Sequence, residues 1–236
     1  MKPLKQENTY FNKPSGILDQ IGVAFSDANF IDFKDEENPV VIPLAFDLPL
    51  SLYLISSEGD HKDLTDLYKG IPLGMQRIAN IFHKNYLRDV SKEEFESIQY
   101  DFRYDEKDIN KAYHFYLENS NVLTAKKAIL VNDADAFLDA IRSSQASSYL
   151  NLENTYVKDE YENSPQEIID NVSQIPGFDD WGAIRIHGGG FKGTVLAFIK
   201  NEWADDFTAY LELNYKNRYT KVGISKVGVL KEKINL

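Results

Sequence analysis

The chain has 236 residues, of which 43% are hydrophobic, and a formal net charge of -11. This size suffices for one substantial hydrophobic core or two small ones. The acidic balance excludes a nucleic-acid or anionic-membrane binder, which needs a basic surface, and the lack of cysteine excludes disulfides and thiol chemistry. The four histidines form no pair at helical spacing, so we predict no metal site.

The apolar runs are all shorter than the roughly 20 residues that a membrane-spanning helix needs. The N-terminus carries charges but no apolar segment of the signal-peptide kind. We therefore expect a cytoplasmic protein without a membrane partner.

The first part of the chain predicts one helix and three strands. Residues 16–23 are a candidate short helix that follows the turn at Pro14. The apolar patterns at 29–33, 40–46 and 50–55 predict strands. The polar residues 35–38 predict the hairpin connection between the first two of these strands.

The middle of the chain predicts helices. Pro72 suits the first position of a helix whose apolar residues continue to Phe82. A long helix is predicted from Asp108 to a break at residues 132–133, and shorter helices near 137–141 and 165–172. Asn201 is a candidate N-cap for a last helix. The predicted apolar stripe of the long helix consists of Phe115, Val122, Ala125 and Ile129.

The end of the chain predicts strands again. Residues 183–186 and 195–198 are apolar and flank a glycine-rich stretch, and 221–230 predicts a closing strand. Early strands, a helical middle and late strands cannot form a regular βαβ series. The expected fold class is therefore α+β, an antiparallel sheet backed by helices.

Four glycines stand within six residues of this glycine-rich stretch: Gly188, Gly189, Gly190 and Gly193. Each glycine in a fixed backbone costs about 0.5–1 kcal/mol relative to alanine. The stretch therefore indicates either a tight connection between two core strands or a backbone that a ligand approaches closely. Lys192 within it either points to solvent or reaches a phosphate, and the pattern leaves both open.

The glycine stretch and an early segment together resemble the galactokinases of the GHMP small-molecule kinase superfamily. The early segment is G-I-L-D-Q at residues 16–20, and the late one is G-G-G-F-K-G at residues 188–193. The resemblance implies that Asp19 is the general base that accepts the proton of the sugar's anomeric hydroxyl. It also implies that Gly188, Gly189, Gly190 and Gly193 lie beside the active site. A positioned carboxylate suits this role, because a sugar hydroxyl is a poor nucleophile at neutral pH.

A third segment, H-K-D-L-T-D-L-Y at residues 61–68, resembles the family stretch that ends in a sugar-contacting tyrosine. The resemblance implies that Tyr68 binds the substrate, whereas the alternative is an ordinary core or surface tyrosine. Asp60 and His61 belong to the same segment and receive no role. His187 is interpreted as a core or surface residue.

The resemblance extends over residues 7–229 and is nearest to the galactokinase variant of low-GC Gram-positive bacteria. It implies that residues 1–20 are the edge of an N-terminal domain. Residues 21–236 would then be a GHMP kinase C-terminal domain of ferredoxin-like character.

The serine-rich phosphate loop of galactokinases, P-x-x-x-G-L-S-S-S, has no counterpart in the 236 residues. We therefore expect the C-terminal part of a galactokinase, whose complete form phosphorylates galactose at the anomeric hydroxyl with ATP and Mg²⁺. This chain alone is expected to be inactive and to bind neither ATP nor Mg²⁺ tightly. The alternatives are a non-catalytic sugar-sensing or interaction module with the same fold, and a remnant without activity.

The expected partners are galactose and either a separate N-terminal half or a second copy of the chain. Early aromatic residues would form an uncovered apolar patch that such a partner covers, unless they are buried in the chain's own sheet. These residues are Tyr10, Phe11, Phe25, Phe30, Phe33 and Phe46.

Overall fold

A computed structural model describes residues 18–25, 27–35, 37–57 and 64–226, without the side chains of residues 19, 20 and 23. The chain divides into two compact units. One comprises Met1–Asp47 with Gly223–Leu236, and the other Leu48–Val222. The domain boundary after residue 20 stays a prediction.

The first unit contains helix α1 (Leu18–Ala24) and an antiparallel hairpin of β1 (Ala28–Asp32) and β2 (Val40–Leu44). This agrees with the helix and the first two strands expected from the sequence. The Asp27 carboxylate organises the hairpin, because it accepts hydrogen bonds from the backbone N–H of Ala28 and of Phe46. Lys226 pairs with the same carboxylate at 2.9 Å.

The early aromatic residues of this unit are not fully buried. Phe25 is 44% exposed, and Phe30, Phe33 and Phe46 are half-buried. Tyr10 and Phe11 lie outside the described residues.

The second unit is built on a four-stranded antiparallel sheet. Its strands are β3 (Leu50–Ser56), β4 (Gly182–His187), β5 (Thr194–Lys200) and β6 (Tyr219–Val222), in the order β4-β5-β3-β6. The helices are α2 (Thr65–Ile81), α3 (Lys92–Glu96), α4 (Glu106–Val131), α5 (Ala134–Ser147), α6 (Pro165–Ser173), α7 (Phe178–Trp181) and α8 (Ala204–Asn214). The α+β architecture with an antiparallel sheet is thus confirmed.

Alternate residues of the central strands face the main core. Tyr53 and Ile55 of β3 are fully buried together with residues of α6, α7 and α8. The Tyr53 ring meets the Phe207 ring edge-on, with 5.2 Å between centroids. The ring of Phe198 of β5 meets that of Phe137 of α5 edge-on, with 5.2 Å between the ring centroids. Because successive side chains of β3 and β5 point to opposite faces of the sheet, helices cover apolar side chains on both faces.

A second core joins α2, α3 and α4. Phe95 of α3 is buried with Ile78 and Ile109, and its ring stacks on that of Tyr116 at 5.0 Å. The α2–α4 contact is close at Gly74, where a Cβ would lie 2.6 Å from Asp108 Oδ1. The packing of these apolar side chains and the lack of a side chain at Gly74 together allow α2 to lie close against α4.

Two sequence expectations about these helices are wrong. Pro72 lies inside α2 and not at its start; the hydrogen bond lost at a proline is offset here by burial of Ile78 and Ala79. Val122 is 43% exposed, because α4 turns His114 and Glu118 toward α5 instead; Asn121, which donates to Glu118, is buried as well. The closing strand ends at Val222, within the part of residues 221–230 that the structure describes.

None of the helices in the described part of the chain is both long and apolar enough to cross a bilayer.

The buried carboxylate of Asp108 predicts a pH-dependent stability. It accepts hydrogen bonds from Arg77 Nε and Nη2 at 2.5 and 2.7 Å and from Lys111 Nζ at 3.2 Å. The Arg77 hydrogen bonds hold the Asp108 pKa below its ordinary value. A lowered folded-state pKa stabilises the protein above the unfolded-state pKa of about 3.9, and this contribution is lost as the pH falls through the folded-state pKa.

We expect Asp108→Asn to lower the free energy of unfolding by about 1–3 kcal/mol near neutral pH, and by less below about pH 3. Urea unfolding at the two pH values measures the difference. Asp139→Asn is the control, because the Asp139 side chain is 72% exposed and its ion pair with Arg142 contributes little. An Asp108 effect that is equal at both pH values would contradict the prediction.

Candidate functional site

The glycine-rich stretch forms the loop between β4 and β5. The pair His187–Thr194 closes the hairpin, and residues 188–193 make the turn. Gly188, Gly190 and Gly193 have φ values of 84°, 83° and 104°, a region that L-residues with a side chain rarely adopt. Three of the four glycines are therefore required by the backbone conformation.

Gly190 lies directly against the backbone of Asn154. A Cβ on Gly190 would be 2.1 Å from the Asn154 carbonyl oxygen, whereas one on Gly188 would meet nothing within 4 Å. Asn154 Nδ2 donates to the Gly189 carbonyl at 3.0 Å, and the Phe191 N–H donates to the Asn154 carbonyl. The close approach indicated by the glycines is thus one between two backbone segments.

Tyr68 of α2 contacts the same loop. Its hydroxyl donates to the Gly190 carbonyl at 3.0 Å, and its ring leaves no space for a Cβ on Gly189, which would lie 2.7 Å away. The ring also meets Phe191 edge-on at 5.4 Å between centroids. Burial raises the pKa of the Tyr68 phenol, so the hydroxyl is protonated at neutral pH. Tyr68 remains 40% exposed, which leaves part of it accessible at the edge of the loop.

The end of the loop is fixed by Ser57 and Glu160. Ser57 Oγ donates to the Gly193 carbonyl at 2.6 Å. Lys192 pairs with Glu160 at 2.5 Å, and its side chain is only 15% exposed. In this structure the Lys192 ammonium is therefore directed at Glu160 and is largely shielded from solvent. His187, at the end of β4, is exposed.

The edge of the loop formed by residues 190–193, here called the rim, is consequently held in place by protein contacts. The amides of Phe191 and Gly193 donate to protein acceptors, and the Lys192 ammonium is neutralised. Such a rim can orient a neutral ligand through Tyr68, but these groups do not form a phosphate cradle.

For the remaining sequence-predicted residues the structure describes no side-chain contact. Asp19 lies in α1, in the first unit, and its side chain is outside the described part. Asp60 and His61 also fall outside it. The roles implied for Asp19 and Tyr68 stay predictions. Within the described ranges, no group of three or more His, Cys, Asp or Glu side chains is arranged to hold a metal ion.

Sequence reasoning missed the residues that hold the loop, namely Ser57, Asn154 and Glu160. Asn154 and Glu160 lie in an acidic stretch without apolar periodicity, so no local pattern indicates their contacts. Asn154 is only 4% exposed, and a buried asparagine has no sequence signal of its own.

Alanine substitutions at two glycines separate the effect of φ from that of space. Gly188→Ala meets only the positive φ, and we expect a loss of about 1–2 kcal/mol of unfolding free energy. Gly190→Ala meets the same φ and the Asn154 backbone, and we expect a larger loss. Urea unfolding measures both, and equal losses would show that the Asn154 contact does not limit the loop.

The sequence of this chain is similar to those of known galactokinases. No protein-family model matches the chain. The chain is 24% identical over 218 residues to a galactokinase of Actinobacillus succinogenes, covering 91% of this chain and 54% of that protein. It is 26% identical over 224 residues to a galactokinase of Clostridium tetani, covering 89% and 53%. The chain thus spans about half the length of the curated relatives it matches.

The fold comparison agrees. The structure of Lactococcus lactis galactokinase, determined in complex with galactose, superposes with a TM-score of 0.71 at 19% identity, covering 95% of this chain and 57% of that one. At this identity the superposition establishes the fold. In sequence and in fold, the chain is similar to the C-terminal region of galactokinases.

Proposed function

We propose that this chain supplies the C-terminal part of a galactokinase-type sugar kinase. The observation that carries the proposal is the contact between the Tyr68 hydroxyl and the Gly190 carbonyl. It unites two segments, far apart in the sequence, that both resemble galactokinase active-site segments. The similarity of about nine-tenths of the chain to curated galactokinases supports the same assignment.

The proposed acceptor is galactose, phosphorylated at its anomeric hydroxyl. The related L. lactis galactokinase was determined with galactose bound. In this proposal Asp19 accepts the hydroxyl proton as the bond to phosphorus forms, which typically accelerates such a step by about 10²–10⁴-fold. Tyr68 holds the sugar, and the glycine loop fixes Tyr68.

The proposed phosphoryl donor is ATP with Mg²⁺. The described residues do not fit this group by themselves, because the loop amides of Phe191 and Gly193 are paired with protein acceptors. Binding of the donor therefore belongs to a phosphate-binding part of the kind that galactokinases carry ahead of this region. Phosphoryl transfer depends mainly on positioning and charge stabilisation, so both parts are needed for turnover.

The proposal is tested by an assay of ADP release. With galactose and Mg-ATP, we expect no turnover above the blank from the purified 236-residue chain. We expect galactose-dependent turnover when the chain is expressed together with the N-terminal half of a galactokinase. Turnover by the chain alone would contradict the division of roles. Galactose binding without ADP release by the joined parts would favour the sugar-sensing alternative.

Asp19→Asn in the joined parts sharpens this test. We expect kcat to fall at least about 10²-fold with a smaller change in nucleotide affinity. Glu37→Gln is the matched control in the same unit, since Glu37 is exposed. Near-normal turnover of the Asn variant would show that Asp19 is not the base.

The first unit is proposed to bind a partner, either a separate N-terminal half or a second copy of the chain. Its hairpin has two strands, and such hairpins are marginally stable alone. Phe25, Val40 and Ile42 are 44%, 55% and 38% exposed.

We expect the isolated chain to show a mass that rises with concentration in light scattering coupled to gel filtration. Ile42→Lys is expected to weaken this association, because a charge replaces an exposed apolar side chain. Leu213→Lys, at an 84% exposed position of α8, is the control. A constant monomer mass over the whole concentration range would contradict self-association.

A further inference from the structure

An open cavity of about 660 Å³ lies where residues 99–106 lead into α4. This volume is typical of small-molecule sites. Its lining shares no residue with the contacts of the glycine loop. The lining consists of Gln99, Tyr100, Asp101, Phe102, Tyr104, Glu106, Ile109, Asn110, Tyr113 and Asn151.

Three of the four aromatic residues that line the cavity are exposed to solvent, and the fourth, Tyr104, is half-buried. Tyr100 is 89% exposed, Phe102 is 97% exposed and Tyr113 is 39% exposed. Within the described residues none of these three rings packs against another ring. A single exposed aromatic residue is ordinary, but three around one concave surface form a patch of the kind that marks a binding site.

The polar side chains of the cavity also lack protein partners. Among the described residues, the side chains of Gln99, Glu106 and Asn110 form no hydrogen bond with the protein. Asn151 donates from Nδ2 to Ser147 Oγ at 2.9 Å, which leaves its amide oxygen available. The amides offer both donors and acceptors.

The charges of the lining indicate a neutral ligand. None of the ten lining residues is basic, which excludes phosphates and other anions. Arg103 pairs with Asp101 at 2.5 Å, so Glu106 is the carboxylate without an ion pair in the described lining. A quaternary ammonium ligand would use the rings but would leave the amides unpaired.

We propose that this cavity is a binding site for a neutral carbohydrate, separate from the Tyr68 site. The C–H faces of a sugar ring stack on flat aromatic rings, and its hydroxyl groups donate to and accept from the amides. This combination matches Tyr100, Phe102 and Tyr113 with Gln99, Asn110 and Asn151.

The test is saturation-transfer NMR and calorimetric titration of the full chain with methyl β-galactoside, lactose and maltotriose. The blocked anomeric position of methyl β-galactoside prevents phosphorylation, so the experiment measures binding and not turnover. We expect at least one of these sugars to bind. The double variant Tyr100→Ala and Phe102→Ala should weaken that binding by about tenfold or more.

Two controls locate the effect. Tyr86→Ala removes a ring that is 59% exposed outside the cavity and should not change the affinity. Tyr68→Phe alters the other site and reports any part of the binding that belongs to that site. Circular dichroism checks that the double variant is folded, which its exposed positions favour. The proposal is overturned by three results: no binding of any of the sugars, binding that depends on Tyr68 but not on Tyr100 and Phe102, or binding of tetramethylammonium without binding of sugar.

Discussion

The backbone contact between Gly190 and Asn154 is the constraint on which the arrangement of the glycine loop depends. A side chain at residue 190 has no room, and only the bare backbone allows Asn154 to bond to both Gly189 and Phe191. Once the loop lies in this position, its carbonyl at Gly190 points to the Tyr68 hydroxyl. The relation between α2 and the β4–β5 hairpin follows from this one close approach.

A buried polar network supports the strand that leads into the loop. His114 Nδ1 lies 2.9 Å from Ser147 Oγ, and Ser144 Oγ donates to Glu118 at 2.8 Å. Arg185 of β4 lies 4.0 Å from the same carboxylate. Burial lowers the pKa of His114, so the ring is mainly neutral at neutral pH and adds no charge to the interior. The two hydrogen bonds join α4 to α5 with a directionality that an apolar contact surface would not provide, and the ion pair adds β4.

The sequence predicted the elements with strong periodicity and failed where packing decided. The glycines of residues 188–193 indicated a sharp turn or the close approach of a ligand; the loop makes the turn, and the close approach in the structure is that of the Asn154 backbone. Pro72 and Val122 were misplaced, since local pattern gives no measure of how α2 packs or of which face of α4 carries polar contacts. The resemblance implied a sugar contact for Tyr68 and a place beside the active site for the loop, but the hydrogen bond between Tyr68 and the loop was not predicted. Asn154 and Ser57 were missed, because their contacts join residues more than thirty positions apart.

The segment after α5 connects two regions of the second unit. Asn151 lies in a single π-helical turn, Ser148–Leu152, and lines the cavity at residues 99–106. Asn154 follows three residues later and contacts the glycine loop. Lys107 of α4 pairs with Glu153 between them at 2.9 Å. Asn151, which lines the cavity, and Asn154, which supports the loop, are therefore only three residues apart in the chain.

The direction of the Tyr68 hydrogen bond has a consequence for ligand selection. A phenol has one proton to donate, and in this structure the Gly190 carbonyl accepts it. The oxygen of Tyr68 then has only lone pairs left to offer. Any molecule that meets this oxygen without breaking the loop contact must bring its own hydrogen, as an alcohol does and a carboxylate or ketone does not. The loop thus leaves the Tyr68 oxygen able to accept a hydrogen bond but not to donate one.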